Sequence, residues 1–253
     1  MKVTLVAATQ VRAPIYDFLP WGEEAGVSRD GEYLVEFAGR ACYQAWGRKN
    51  PETRKTRDYV RKNIIGKDHG SVLEHASATF YIEGVSRSLT HEMIRHRAGT
   101  AYSELSQRYV DLADVELVVH PTVQPLLHEP VVGARDPETK EPITVERLIL
   151  QSYEDVAFAY DRLSATLEAH GITGKRAREA AREVAQSMTE TKLVMTANYR
   201  AWRHILRMRG SEHADAQIRA LALLLLEALY DEAPSVFGDY SVVNTQYGQV
   251  IEA

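Results

Sequence analysis

The 253 residues carry a formal net charge of −5, with 45% hydrophobic and 26% charged side chains, the balance of an ordinary globular chain. With a pI near 6.0, that balance excludes a general binder of nucleic acid or of anionic membranes, so clustered arginines point to a small anionic ligand. The single cysteine, Cys42, excludes intrachain disulfides and a cysteine-rich zinc centre, and no apolar run approaches transmembrane length, so a cytoplasmic protein is expected.

In chain order, Met1 to Ala7 reads as a strand, too short and unflanked for a signal peptide. Gly31 to Trp46 places Leu34, Val35, Phe37, Ala38, Ala41 and Cys42 at helical spacing. Cys42 is thus expected mid-helix on an apolar face, a poor position for a nucleophile. Pro51 to Ile65 reads as a basic amphipathic helix, and a loop from Gly66 to Gly70 leads into Ser71-Val72-Leu73-Glu74-His75. Ala76 to Ile82 reads as a strand ended by Gly84. Ser86 to Arg97 is expected to be a helix that delivers Arg95, His96 and Arg97 at its C-terminal end, where the dipole favours cations, with Gly99 as the stop. Val115 to His120 reads as a strand, and His128 to Pro142, proline-bearing and of mixed charge, as a surface excursion. Helices are expected over Val145 to His170 and Lys175 to Met188, separated by Gly171 and Gly174. Lys192 to Asn198 reads as a short strand, Arg200 to Arg209 as a helix, and Ser211 to Phe237 as a long helix with a leucine-rich face. The aromatic-bearing tail, Gly238 to Ala253, is expected to pack at an edge. No repeat or linker interrupts this pattern. It predicts one α+β domain over residues 1–253, a mixed or antiparallel sheet with long flanking helices.

Several stretches carry chemistry. Arg95-His96-Arg97 precedes a small-residue turn and a hydroxyl-rich run to Tyr109. Guanidinium forks pair bidentately with phosphate oxygens, and hydroxyls fill the remaining acceptor positions; a solvated basic face fits the same residues. Ser71 and Glu74 have capping-box spacing. His91 and His96 invite a zinc reading, but five residues place them about 140° apart around a helix, off one ligand face, and no metal is expected. Glu92 and Arg95 share a face at i and i+3. Arg200, Arg203, His204 and Arg207 fall at i, i+3, i+4 and i+7, a cationic stripe that requires acids from a neighbouring helix or an anionic ligand. Lys175 to Arg182 forms another basic helix. No Gly-x-Gly-x-x-Gly and no P-loop occurs, so a dinucleotide must be held by side chains.

These blocks resemble the signature of the flavin-dependent thymidylate synthases, in which Arg-His-Arg is followed after seven residues by a serine within a Ser-x-Arg-Tyr ending. Arg95-His96-Arg97 and Ser106-Gln107-Arg108-Tyr109 match, with eight residues, Ala98 to Leu105, between them. His69-Gly70-Ser71-Val72-Leu73-Glu74-His75 resembles the family's His-x-Thr/Ser block ending in Glu-His. Asn198 to Ala214 resembles its Asn-x-Arg and Arg-x-x-x-His pattern, and Arg182, sixteen residues before Asn198, matches an arginine that reaches the nucleotide phosphate from a neighbouring subunit. The resemblance runs from about Val35 to Ser235. It implies reductive methylation of dUMP to dTMP, with methylenetetrahydrofolate as one-carbon donor, FAD as hydride carrier and NADPH as reductant, in a homotetramer that shares its sites between subunits. Substrate contacts would fall to His69, Glu92, Arg95, Glu104, Leu105, Ser106, Arg108, Arg182 and Arg209. Flavin contacts would fall to Ser71, Glu74, Arg95, His96, Arg97, Ser103, Glu104, Asn198, Arg200, His204 and His213. Arg209 would be catalytic, favouring the N3-deprotonated uracil ring. The surplus residue falls near Ala101 in an expected loop; a looser loop implies slower turnover, and deleting Ala101 is expected to raise activity or leave it unchanged. A non-catalytic nucleotide or nucleic-acid binding module, or a flavin oxidase on the same scaffold, remains the alternative.

Overall fold

The β-branched residues Val3, Thr4 and Val6 favour extended backbone in the first strand, β1 (Lys2–Ala8). In the structure, a computed structural model that describes residues 1–19, 29–47, 50–112 and 115–253, a short helix α1 (Ile15–Phe18) follows. Phe18 packs its ring on Phe37 and Trp46 at 5.6 and 5.2 Å. Helix α2 (Asp30–Tyr43) buries Val35 but also Glu32, Glu36 and Arg40. Arg40 is fully engaged: Nε donates to Glu36 at 2.6 Å, Nη1 to the Ala45 carbonyl at 3.1 Å and Nη2 to that of Thr53 at 2.9 Å. A buried ion pair persists only when its remaining donors are satisfied in this way. The expected placement of Cys42 is corrected: it stands in the last turn of α2 and is exposed. The helix is covered earlier, at Gly39, where a Cβ would sit 2.8 Å from the Tyr59 hydroxyl.

The expected basic helix from Pro51 to Ile65 is broken. Extended Lys55 separates a 3₁₀ turn at Pro51–Thr53 from α3 (Thr56–Tyr59), which widens into a π turn at Val60–Ile65. Gly70–Glu74 is a 3₁₀ turn with His69 at its N-cap and no side-chain capping bond, so Ser71 is not a cap. Strand β2 (Ser77–Ser86) runs on past Gly84, whose N–H donates to Glu190 at 3.0 Å. Helix α4 (Arg87–Met93) then stops short of Arg95, His96 and Arg97. Its last carbonyl, that of Met93, takes the Tyr102 hydroxyl at 2.9 Å, and the His96 carbonyl beyond the helix takes Tyr102 and Thr100 Oγ1 at 2.7 Å each. The residues after it form a strand, β3 (Thr100–Glu104), where a loop was expected.

Val115 to His120 is not a strand. One bridge, Leu117 to Thr189, is formed before His120 and Pro121 turn the chain. The surface excursion is a hairpin of β4 (Pro130–Arg135) and β5 (Pro142–Thr144). Thr144 caps α5 (Val145–Ala169) by accepting from the Arg147 N–H at 3.2 Å. Helix α6 (Lys175–Ala181) tightens into a 3₁₀ turn at Arg182–Val184 instead of reaching Met188, because the backbone turns extended at Ala185, and the carbonyls of Ser187 and Thr189 accept from the N–H groups of Ser88 and Arg87. Strand β6 (Glu190–Asn198) leads into α7 (Tyr199–Arg209). Helix α8 (Ala216–Glu232) begins after its cap, Asp215, and is cut from α9 (Pro234–Phe237) by Pro234, which divides the expected Ser211–Phe237 helix. The tail is a hairpin, β7 (Ser241–Thr245) with β8 (Gly248–Glu252).

The fold is α+β. Its four-stranded sheet has the order β1-β2-β6-β3, with Lys2 opposite Glu83 and Ala8 opposite Ala78 in the antiparallel β1–β2 pair. The chain forms two compact units: Met1–Glu83 with Glu92–Ser103 and Leu193–Ala253, and Gly84–His91 with Glu104–Lys192. In the first, alternate residues Phe80 and Ile82 of β2 and Leu193, Met195 and Ala197 of β6 are buried, the period of a strand with one face inward. Trp202 meets Phe80 edge-on at 5.2 Å and donates to the Ala78 carbonyl at 3.1 Å. Helix α8 packs against β1 and α7 through Ile218, Leu221, Leu225 and Leu229, all fully buried. In the second unit, α5 packs against α6 and the β5 end of the hairpin. Among the described residues no helix is long and apolar enough to cross a membrane.

Candidate active site

Helix α7 explains the site's position. Asn198 caps it, its Oδ1 accepting from the Ala201 N–H at 2.8 Å. Ala201, Trp202, Ile205 and Leu206 turn inward, which leaves the 3.6-residue stripe of Arg200, Arg203, His204 and Arg207 on the other side. That stripe lines a cavity of about 740 Å³ in the first unit, with Asn198, Glu74, Ile64, Leu73, Gly99 and Tyr240 among its other walls. Gly99 has φ +71°, and a Cβ there would lie 2.4 Å from Asn198 Nδ2, so only glycine lets this turn approach the helix cap.

The stripe's charge is partly answered by the protein. Arg200 pairs with Glu74. Arg203 holds Asp239 through two bonds of 2.6 Å each, donates to the Val236 carbonyl, and lies over the Tyr240 ring at 4.7 Å. His204 meets His96 edge-on at 5.5 Å.

Arg209, at the end of α7, is held on three sides. Nε donates to His96 Nε2 at 2.8 Å, Nη1 to Glu92 Oε2 at 2.7 Å and Nη2 to the Glu92 carbonyl at 3.1 Å. Burial, reinforced by the Arg209 and His204 charges, pushes the His96 imidazole down to about 4. His96 is therefore neutral near pH 7, accepting at Nε2 and carrying its proton on Nδ1. The outcome is a fixed cation backed by a carboxylate, an arrangement suited to a planar acidic imide.

The expected residues divide as follows. Glu74, Asn198, Arg200 and His204 line the large cavity. His69 and Ser71 line an adjoining one of about 350 Å³, with Cys42 and Arg200. Glu92, His96 and Arg209 form the bonded cluster just described. Arg95, Arg97, Ser103 and His213 are exposed and line neither cavity; His213 lies 3.8 Å from Glu212. The remaining five are in the second unit. There Glu104 Oε1 accepts from Thr90 at 2.8 Å and Thr191 at 3.1 Å and pairs with Arg87 at 2.9 Å. Leu105 donates its N–H to the Lys192 carbonyl. The Ser106 carbonyl accepts the N–H groups of Tyr109 and Val110. Arg108 pairs with Glu179 at 3.1 Å, and Arg182 lies 3.9 Å from Glu183. Among the described residues no group of histidine, cysteine, aspartate or glutamate could hold a metal ion. Arg203, Arg207, Asp239 and Tyr240 were not among the expected site residues. Stripe spacing carries a signal for both arginines, whereas nothing in the sequence brings residues 239 and 240 back to α7.

An α+β fold that gathers arginine, histidine and asparagine around one cavity defines a class that grips an anionic ligand by side chains. The chain is an enzyme of the flavin-dependent thymidylate synthase family: the family model described as Thymidylate synthase complementing protein matches residues 26–235. It is 45% identical over 250 residues to the flavin-dependent thymidylate synthase of Mycolicibacterium vanbaalenii, covering 96% of this chain and 91% of that one. The Mycobacterium avium enzyme of the same name is 45% identical over 256 residues, 98% of this chain and 93% of its own. Among solved structures, thymidylate synthase X from Helicobacter pylori, with FAD and dUMP, has the same fold with a TM-score of 0.61 at 23% identity, over 94% of this chain and 98% of that one.

Proposed function

We propose that the chain converts dUMP to dTMP by reductive methylation, using methylenetetrahydrofolate as one-carbon donor, FAD as bound hydride carrier and NADPH as reductant. It does so as a cytoplasmic homotetramer with sites shared between subunits, and without nucleic-acid or membrane partners. One observation carries the reading: Glu74 and the sequence-distant trio Asn198, Arg200 and His204 line one cavity of about 740 Å³. That size is ordinary for a cofactor site. Asn198 Oδ1 is occupied by its cap, which leaves the amide as a donor, and the arginines supply the positive charge a diphosphate requires without a glycine-rich loop. Ser71 and Glu74 would hold the flavin with these residues, and bound FAD supplies the hydride chemistry. Arg95, Arg97, Ser103, Glu104 and His213 complete the proposed flavin set.

The chain's own part is placement and charge. Arg209, fixed by Glu92 and His96, orients the uracil ring and lowers the pKa of its imide. Arg108 and Arg182 would neutralise the nucleotide phosphate, Ser106 and the Leu105 backbone would orient it, and His69 would lie near nucleotide and folate. Helix α5 supports assembly: of its 25 residues only Tyr160 is buried, while Leu148, Leu150 and Phe158 are exposed, Phe158 by 68%. An absorbance spectrum of the purified protein and tritium release from labelled dUMP test the reading together. A yellow protein that releases tritium only with folate and NADPH is expected. A colourless protein that binds nucleotide without turnover, or a yellow one that reduces oxygen without releasing tritium, overturns it.

A further inference from the structure

One peptide group at the start of α9 is gripped at both ends. The Pro234 carbonyl accepts from Arg61 Nη2 at 2.7 Å, and the Ser235 N–H of the same peptide donates to Glu32 Oε1. Glu32 stands on α2 and is 1% exposed; Arg61 stands in the π turn at Val60–Ile65. Burial pushes the Glu32 carboxyl up, and the Ser235 N–H and the Arg61 charge pull it partly back. Carboxylate and guanidinium polarise one peptide from opposite ends, so each contact strengthens the other. A Cβ at Gly238 would lie 2.4 Å from Arg61 Nη2, so glycine there leaves the carbonyl open to the guanidinium. The apolar anchors of this segment, Val236 and Phe237, are fully buried. Apolar contact is non-directional, however, and does not fix how the turn is rotated; the gripped peptide does. Rotation matters because the residues that follow face α7. The Val236 carbonyl and both Asp239 oxygens, the latter at 2.6 Å each, hold the Arg203 guanidinium, and the Tyr240 hydroxyl donates to the Arg203 carbonyl at 2.9 Å.

We infer that Glu32 and Arg61 are positioning residues for Arg203: by fixing the Pro234–Ser235 peptide they set the turn that aims the Arg203 guanidinium along the cavity wall. Neither residue lines that cavity, whereas Arg203 does, so both act on a ligand only through the turn. The inference rests on the flavin reading above for the ligand used in its test, and the turn itself is read without any ligand.

The test uses full-length protein depleted of flavin. Hydrogen exchange followed by mass spectrometry reports the turn, and flavin fluorescence titration reports the cavity. Glu32→Ala is expected to speed exchange across residues 235–240 about tenfold or more, while the α8 core keeps its protection. It should weaken FAD about 3- to 30-fold, and Glu32→Gln, which keeps an acceptor oxygen, should return both readings to within about threefold of wild type. In an Arg203→Ala background the Glu32→Ala change should cost less than about twofold, because a residue acting through Arg203 has nothing left to position. A purely structural loss would instead add to the Arg203 effect in full. If Glu32→Ala does not fold, Arg61→Ala, which releases the carbonyl end of the same peptide, carries the same expectations. Wild-type exchange over residues 235–240 overturns the grip. Wild-type FAD affinity with a loosened turn, or an equal FAD loss with and without Arg203, overturns the positioning. A wild-type protein that binds no flavin overturns the flavin reading itself, and with it the role given to Arg203, whatever the exchange shows.

Discussion

Three of the five N–H groups of Arg209 are engaged by His96 and Glu92, which leaves two for a substrate. Arg209→Ala is therefore expected to leave weak dUMP binding and to remove most turnover. Losing a charge-assisted pair in a closed site costs roughly 2–4 kcal/mol, a factor of about 30 to 1,000. Steady-state rates at saturating dUMP check this, and unchanged turnover would sink the role. His96 makes a second, pH-dependent prediction. Its folded pKa of about 4 lies below the usual imidazole value of 6.5, so between those values the unfolded chain binds the proton more readily. Stability should fall as pH drops from about 6.5 towards about 4, by up to about 3 kcal/mol. Urea midpoints across that range should decline for the wild type and decline less steeply in His96→Gln; parallel curves would show that His96 is not the group responsible.

At the scale of elements, β3 reverses an expectation. The surplus residue near Ala101 was expected in a loop, where deletion is tolerated or beneficial. Ala101 instead lies inside a strand whose alternate residues have fixed partners. Thr100 and Tyr102 hold the His96 carbonyl, and Glu104 engages Thr90, Thr191 and Arg87. Side chains alternate with a period of two, so removing one residue turns every later side chain to the opposite face. Deleting Ala101 is now expected to lower the thermal midpoint and remove turnover; a deletion variant with wild-type stability and full activity would sink this account. The strand was hard to see because Thr100 to Glu104 is too short and polar for hydrophobic alternation to show. Helix starts were partly legible: the start expected at Arg200 lies one residue from the observed Tyr199, whereas the one expected at Ser211 falls at Ala216, behind its cap Asp215. Helix ends were harder still, because α4 stops where the Tyr102 hydroxyl holds the Met93 carbonyl, a contact that no local pattern carries. Buried Glu36 and Arg40 were likewise hidden, since charge reads as surface until a partner is known.

At the scale of the whole molecule, residue chemistry was more legible than assembly. Spacing on one helix announced the cationic stripe, and motif resemblance supplied Glu74, Glu92 and His96. Asp239 and Tyr240 needed the tail to fold back, which sequence separation conceals. The five expected site residues in the second unit, Glu104, Leu105, Ser106, Arg108 and Arg182, bear on the proposal of shared sites. If one subunit supplies Arg209 and another Arg182, each single variant spoils every site of its own tetramer in a different way. Arg182→Ala should mainly raise the dUMP concentration required, and Arg209→Ala should lower the maximal rate. Subunit exchange between the two then recreates some sites with both arginines intact, about a quarter of them at equal mixing if subunits assort at random. Activity at low dUMP should rise after exchange above the sum of the separate variants. Exchange demonstrated by mass-labelled subunits, with no such rise, would show that both arginines serve a site from the same chain.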